Sequence, residues 1–130
     1  MFEEICAHAR ACEPEESCGL IAGLVDGDVV RAERVICMTN AEPGDRSVRY
    51  LLDAGEQFKA MRSAEADGLE IIGAFHSHVR SPARPSETDL ALAAYPEWAW
   101  LIVSLGGSEP ELKAYSIEDG TYEEIPVHWP

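Results

Sequence analysis

Apolar residues recur along the chain with two different periods, and these periods predict helices and strands. Helical spacing of apolar side chains covers residues 2–12 and 54–66, and Ser86 begins a third helix that reaches about Ala94. Short apolar runs bounded by Gly, Pro or Asp-Gly predict strands. These strands are 18–25, 29–38, 48–52, 69–79, 99–105, 112–117 and 122–127.

The order of these elements indicates the fold class. A helix and three strands are followed by a helix, a strand, a helix and three more strands, which is mixed α/β (α+β) content. The dipeptides Asp26-Gly27 and Asp119-Gly120 lie between apolar runs and predict hairpins near both ends of the chain. We therefore expect a mixed, largely antiparallel sheet flanked by helices, with residues 1–130 forming a single domain.

Composition narrows the classes of partner. Ten Lys and Arg stand against 24 Asp and Glu, so the formal net charge is −14, and nucleic acids and anionic membranes would be repelled. No apolar run approaches the roughly 20 residues of a membrane span, and the first residues lack a secretory signal pattern. The four cysteines form no C-x-x-C pair and are expected to be reduced and mostly buried. These features predict a cytoplasmic protein with neither nucleic-acid nor membrane partners.

His76 and His78 are the strongest candidates for chemistry. Residues two apart on a strand project from the same face, so both imidazoles can converge on one ion. Asp89 follows at the start of the third helix and can add a carboxylate. Two His and one carboxylate with an open fourth position form a catalytic zinc set that lowers the pKa of bound water toward about 7. The same set also suits iron or cobalt, and the residues alone do not choose between these metals.

Each part of this set has a structural alternative. A His-x-His pair at a strand end is often no more than two exposed polar residues. Ser86 through Asp89 also forms a capping box, in which the serine and the acid bond each other's backbone amides. The two interpretations compete for the Asp89 carboxylate. The length of the combined pattern favours the metal site.

The pattern as a whole resembles a known family. His76-Ser77-His78, seven residues, Ser86, two residues and Asp89 resemble the signature of the JAMM (Jab1/MPN+) zinc metalloproteases in their minimal prokaryotic form. The segment 14–23, PEESCGLIAG, resembles the upstream segment that carries the family's glutamate, and the match places that glutamate at Glu16. One departure is Val79, where most members have proline. The resemblance implies a cytidine-deaminase-like MPN architecture.

The resemblance also implies a role for each residue. His76, His78 and Asp89 would hold Zn²⁺ with a water as fourth ligand. Glu16 would act as general base toward that water, and Ser86 would donate a hydrogen bond to the oxyanion. Cys18 lies two residues from Glu16, but no basic neighbour is evident that would activate it as a nucleophile.

The function implied is a zinc-dependent peptidase or isopeptidase. Its expected substrate is a small ubiquitin-like or sulfur-carrier protein, cleaved after the Gly-Gly C-terminus, with the extended tail pairing alongside strand 69–79. One alternative is a non-catalytic MPN scaffold that binds such a tail, and another is a zinc hydrolase of a non-peptide amide. The sequence leaves the oligomeric state open, with a homodimer as one candidate.

Overall fold

The computed structural model of the protein describes residues 1–128, which form three helices and six strands in the order α-β-β-α-β-α-β-β-β. The helices are α1 (Phe2–Cys12), α2 (Ala54–Ala66) and α3 (Glu87–Leu92). The strands are β1 (Cys18–Asp26), β2 (Val29–Met38), β3 (Glu70–His78), β4 (Ala99–Ser104), β5 (Glu111–Glu118) and β6 (Thr121–Ile125). No helix in this part of the chain is long and apolar enough to cross a membrane.

The six strands form one sheet in the order β2-β1-β3-β4-β5-β6. Strand β3 runs parallel to β4, and every other neighbouring pair is antiparallel. The two predicted hairpins join β1 to β2 and β5 to β6, and the crossover from β3 to β4 contains α3. The expected mixed, largely antiparallel sheet flanked by helices is therefore confirmed, and β3 lies inside it with a neighbour on each side.

Each face of the sheet has its own hydrophobic core. Successive residues of a strand point to opposite faces, so Leu20 packs in the core that includes Ala60 of α2, whereas Ile21 packs against α1. Helix α1 buries Ile5 with Cys6 and Ala9, as its spacing predicts. Large aromatic side chains are expected to lie in a core or an interface, and Trp98 and Trp100 are buried in the core that contains Leu20 and Ala60, the α2-side core. Trp129, for which the same was expected, lies outside the described residues.

Helix α2 packs on the sheet through its small alanines, while two of its larger apolar side chains are exposed. Ala60 and Ala64 are buried, whereas Phe58 is 59% exposed and Met61 40% exposed. The N-terminus of α2 has one of the two hydrogen bonds of a capping box. The Asp53 side chain accepts from the Glu56 amide, but the Glu56 carboxylate accepts from the amide and hydroxyl of Thr39.

The predicted strand at 48–52 is wrong. This segment is a turn followed by an isolated bridge between Asn40 and Leu52. Its backbone groups find partners without a sheet ladder, because the Asn40 side chain bonds the Leu51 amide and the Arg49 carbonyl. The third helix ends at Leu92, two residues earlier than expected.

Candidate metal centre

The end of β3 brings two imidazoles to one side of the sheet. His76 and His78 alternate with Ser77, so both rings point to the face that Ala74 shares with the α2-side core. Their Nε2 atoms lie 3.1 Å apart, and each is 3.1 Å from Oδ2 of Asp89. All three side chains are more than nine-tenths buried. The structure thus brings together the three residues predicted as metal ligands.

The hydrogen bond from His78 Nδ1 to the Pro82 carbonyl oxygen, at 2.8 Å, decides the protonation of this ring. A carbonyl oxygen only accepts, so Nδ1 carries the proton and a neutral His78 points its Nε2 lone pair at Asp89. Burial lowers the pKa of His78, but the hydrogen bonds with Asp89 and Pro82 outweigh it and raise the pKa overall. The contact between this lone pair and the carboxylate is therefore favourable only where a proton, such as one on His76 Nε2, or a metal ion lies between them.

The three atoms fit a tetrahedral metal. With metal–ligand distances of about 2.0–2.1 Å, neighbouring ligand atoms of a tetrahedron lie about 3.3–3.4 Å apart, close to the observed spacing. No other group of three His, Cys, Asp or Glu ligands in residues 1–128 is gathered in this way. The set has two neutral nitrogens and one carboxylate, which suits zinc.

The capping box and the ligand position of Asp89 coexist, contrary to the expected competition. Asp89 Oδ2 accepts from the Ser86 amide at 2.9 Å, and Ser86 Oγ accepts from the Asp89 amide at 3.1 Å. The same Oδ2 faces both imidazoles, and its contacts with them lower the pKa of Asp89 in spite of its burial. The box therefore holds the carboxylate in place. Ser86 Oγ uses a lone pair in the cap, which leaves its proton free to donate.

Glu16 lies in the loop before β1 and lines a cavity of about 560 Å³ together with His78 and Ser86. Only 5% of Glu16 is exposed, and its Oε1 has no hydrogen-bond partner among the described residues. Burial raises the pKa of Glu16 to about 8, with His78 lowering it and Asp89 raising it. A buried carboxyl with one oxygen free of hydrogen bonds is suited to take or give a proton in this cavity.

Comparisons with known proteins identify the family. The family model for prokaryotic homologs of the JAB domain matches residues 1–118. The chain belongs to this family. It is 43% identical over 124 residues to the CysO-cysteine peptidase of Mycobacterium tuberculosis (strain H37Rv), which covers 94% of this chain and 82% of that protein. It is 35% identical over 109 residues to the desampylase of Haloferax volcanii, with 81% and 76% covered.

Solved structures agree with the JAB fold. A solution structure of a protein from Desulfitobacterium hafniense superposes with a TM-score of 0.87 at 37% identity, covering 95% of this chain and 84% of that one. A crystal structure of a JAB1/MPN domain protein from Archaeoglobus fulgidus has a TM-score of 0.58 at 22% identity, covering 96% and 89%. The recognition of the family, the MPN architecture and the peptidase class of enzyme are thereby confirmed. The roles of individual residues stay predictions.

Asn40, which the sequence analysis did not single out, joins the segment 41–51 of this JAB domain to Glu16. Asn40, the chain's single asparagine, donates from Nδ2 to the carbonyl oxygens of Glu16 (3.0 Å) and Arg49 (3.1 Å). Its Oδ1 accepts from the amides of Glu42 (3.0 Å) and Leu51 (3.2 Å). The segment held in this way carries Tyr50, whose ring stacks on His76 with centroids 4.5 Å apart. An isolated Asn after a strand was the only signal in the sequence.

Four further hydrogen bonds hold the strand and the loop that carry the predicted ligands of this JAB domain. Ser77, between the histidines, accepts from the Ser17 amide at 2.7 Å, and the Ser77 amide donates to the Ser17 carbonyl at 3.1 Å. These bonds join the Glu16 loop to the ligand strand. The loop after His78, which begins at Val79, is held by two hydrogen bonds from the sheet. The Ser104 hydroxyl donates to the Ser81 carbonyl oxygen, and the Tyr115 hydroxyl donates to the Ala83 carbonyl oxygen.

Cys18 is not an activated nucleophile in this JAB domain. It is fully buried, and its thiol donates to the Thr39 carbonyl at 3.5 Å. Burial, together with nearby acidic groups and thiols, raises its pKa to about 12. In the described residues all four cysteines are free, as expected. Cys6 and Cys18 are buried, Cys12 is half-buried and Cys37 is exposed, so two of the four, rather than most, are buried.

We predict that the purified protein binds about one zinc per chain and that Asp89→Ala loses it, because the ion would keep only two of its three protein ligands. Elemental analysis after dialysis measures the content. Glu87→Ala, which changes an exposed acid of the same helix, is the matched control and should keep its zinc. Full zinc in folded Asp89→Ala would contradict the ligand set.

We predict that Asn40→Asp keeps zinc but lowers turnover by about tenfold or more, because it replaces the donor nitrogen Nδ2 by an oxygen that faces two carbonyl oxygens, and this repulsion displaces Glu16. The free energy of unfolding should also fall, by about 1–3 kcal/mol. Turnover, zinc content and urea unfolding are measured together. Thr39→Ala, which removes only an exposed hydroxyl contact, is the control. Unchanged turnover in Asn40→Asp would show that the loop is held by other contacts.

We predict that Glu16 makes the metal-free protein less stable as the pH rises. Its pKa is about 8 in the fold against 4.5 in the unfolded chain, so between these values the folded state binds more protons and the free energy of unfolding falls. The free energy of unfolding of Glu16→Gln should exceed that of wild type by about 3–5 kcal/mol above pH 8, and the two should be equal near pH 4.5. Urea unfolding across this pH range, with exposed Glu13→Gln as control, measures the difference. A pH-independent difference would refute the buried ionisation.

Proposed function

We propose that this protein is a zinc-dependent peptidase or isopeptidase that hydrolyses the amide bond after the Gly-Gly end of a small ubiquitin-like or sulfur-carrier protein. The observation that carries the proposal is one cavity lined by His78 from the ligand set, by the buried Glu16 and by the hydroxyl of Ser86. The similarity to a CysO-cysteine peptidase and to a desampylase supports the substrate class.

The residues divide the work of hydrolysis among them. Zinc held by His76, His78 and Asp89 would supply a Lewis acid that polarises the scissile carbonyl and acidifies a bound water. Glu16 takes the proton of the attacking water on its partnerless carboxylate and returns it to the leaving amine. The Ser86 hydroxyl donates to the oxyanion while its lone pair still caps α3.

The substrate tail cannot pair with β3, contrary to the strand addition expected from the sequence. Strand β1 occupies one edge of β3 from Glu70 to His76, and β4 occupies the other from Gly73 to His78. Past His76 the first edge is taken by the bonds between Ser77 and Ser17. The tail therefore has to enter the cavity itself, where glycines allow the backbone to approach the reacting groups closely.

The cellular setting follows from the same proposal. Carrier proteins of this class would meet the enzyme in the cytoplasm, and the charge of −14 disfavours nucleic acid and anionic membranes as partners. The cytoplasmic location, the absence of those partners and a homodimer stay predictions.

We predict that Glu16→Gln keeps zinc and fold but loses about 10²- to 10⁴-fold in turnover, because the general base is gone. Ser86→Ala should lose about 10²- to 10³-fold in turnover and, with the cap removed, about 1 kcal/mol of stability. Steady-state kinetics and urea unfolding separate the two roles of Ser86. A stability loss without a rate effect would leave it only as a cap.

The substrate class is tested by mass spectrometry. A ubiquitin-fold carrier extended by one residue past Gly-Gly is incubated with wild type and with Glu16→Gln, and we expect wild type alone to remove the extra residue. Cleavage of unrelated peptides without cleavage of any Gly-Gly-terminated conjugate would overturn the proposal.

A further inference from the structure

Arg80 lies where two cavities meet. It lines the cavity of about 560 Å³ that holds Glu16, His78 and Ser86, and also a neighbouring cavity of about 550 Å³ that extends to residues 106–111. Ser81 is the other residue common to both. A substrate that passes the reacting groups and leaves toward the second cavity has to pass Arg80.

The backbone of Arg80 is fixed by its neighbours. The His78 carbonyl accepts from the Leu105 amide at 2.9 Å, and the Ser81 carbonyl accepts from the Ser104 hydroxyl at 2.7 Å. Gly106 packs directly on the Arg80 carbonyl, where any Cβ would collide with it. Arg80 therefore presents its side chain from a rigid turn two residues after a metal ligand.

The charges around this junction favour an anion at Arg80. Among the residues that line the two cavities, it is the only Arg or Lys, whereas Glu16, Glu109 and Glu111 are acidic. Arg80 forms no ion pair in the part of the chain that the structure describes. In a protein of net charge −14, Arg80 is the one Arg or Lys in these linings that can receive a free carboxylate.

We propose that Arg80 binds the free α-carboxylate of a leaving group that is a single C-terminal amino acid. This rests on the proposed function and specifies its leaving group. In a single C-terminal amino acid, the carboxylate is attached to the same Cα as the scissile nitrogen. In an isopeptide, the scissile nitrogen is the lysine Nζ, and a lysine inside a continuing chain has no free carboxylate. The enzyme should thus prefer to remove one terminal residue over cleaving an isopeptide bond. A planar guanidinium binds a carboxylate through two parallel hydrogen bonds, which gives orientation as well as attraction.

The test uses two synthetic peptides that end in Gly-Gly-Ala, one with a free carboxylate and one with a carboxamide. We expect the zinc-loaded wild type to favour the carboxylate by about 10- to 100-fold in kcat/KM, the range for a charge-assisted hydrogen bond. Arg80→Ala should lose this preference by slowing only the carboxylate peptide, and Arg80→Lys should keep part of it. Arg84→Ala, in the same loop but in neither cavity lining, should behave as wild type.

Binding supplies a readout that does not depend on turnover. The Glu16→Gln protein should bind the carboxylate peptide more tightly than the carboxamide in calorimetry, and the double variant with Arg80→Ala should bind both equally. Equal cleavage of the two peptides by wild type would overturn the role of Arg80 and leave the proposed function standing. Cleavage of neither peptide, by an enzyme that cleaves peptides without Gly-Gly, would overturn both.

Discussion

Two imidazole nitrogens and one carboxylate oxygen lie 3.1 Å from one another in a site almost closed to water. The arrangement of this end of the sheet depends on that contact. The Pro82 carbonyl fixes the proton of His78 on Nδ1, so its Nε2 and the carboxylate face each other with lone pairs. A proton or a metal ion between these atoms makes that arrangement favourable. The surrounding structure holds the three groups close together, as the predicted metal site requires.

The contacts that hold the predicted ligands also connect other parts of the structure. The capping box that starts α3 also aims Asp89, and Ser77, which lies between the ligands, joins their strand to the loop that carries Glu16. Asn40 extends this network to the segment whose Tyr50 stacks on His76. The residues predicted to bind the metal, transfer the proton and stabilise the oxyanion therefore share one network of hydrogen bonds. A substitution away from the reacting atoms is expected to displace several of them together.

The sequence predicts the parts of this molecule that depend on local period and spacing. The alternation along β3 is sufficient to place His76 and His78 on one face, and α2 begins and ends where its spacing indicates. The segment 48–52 was mistaken for a strand because its apolar residues are typical of one, whereas its backbone bonds go to Asn40. Contacts between distant segments, such as Asn40 with Glu16 or His78 with Pro82, leave no periodic trace and require the fold.

X-ray absorption spectroscopy at the zinc edge of the zinc-loaded protein identifies the atoms that bind the metal. We expect only nitrogen and oxygen neighbours at about 2.0–2.1 Å, two of them imidazoles with their characteristic outer-ring scattering. Cys18 is the register partner of His76 across β1 and β3, so sulfur is an alternative donor that the measurement has to distinguish. A sulfur neighbour at about 2.3 Å, or a shell without two imidazoles, would contradict the His76, His78 and Asp89 site.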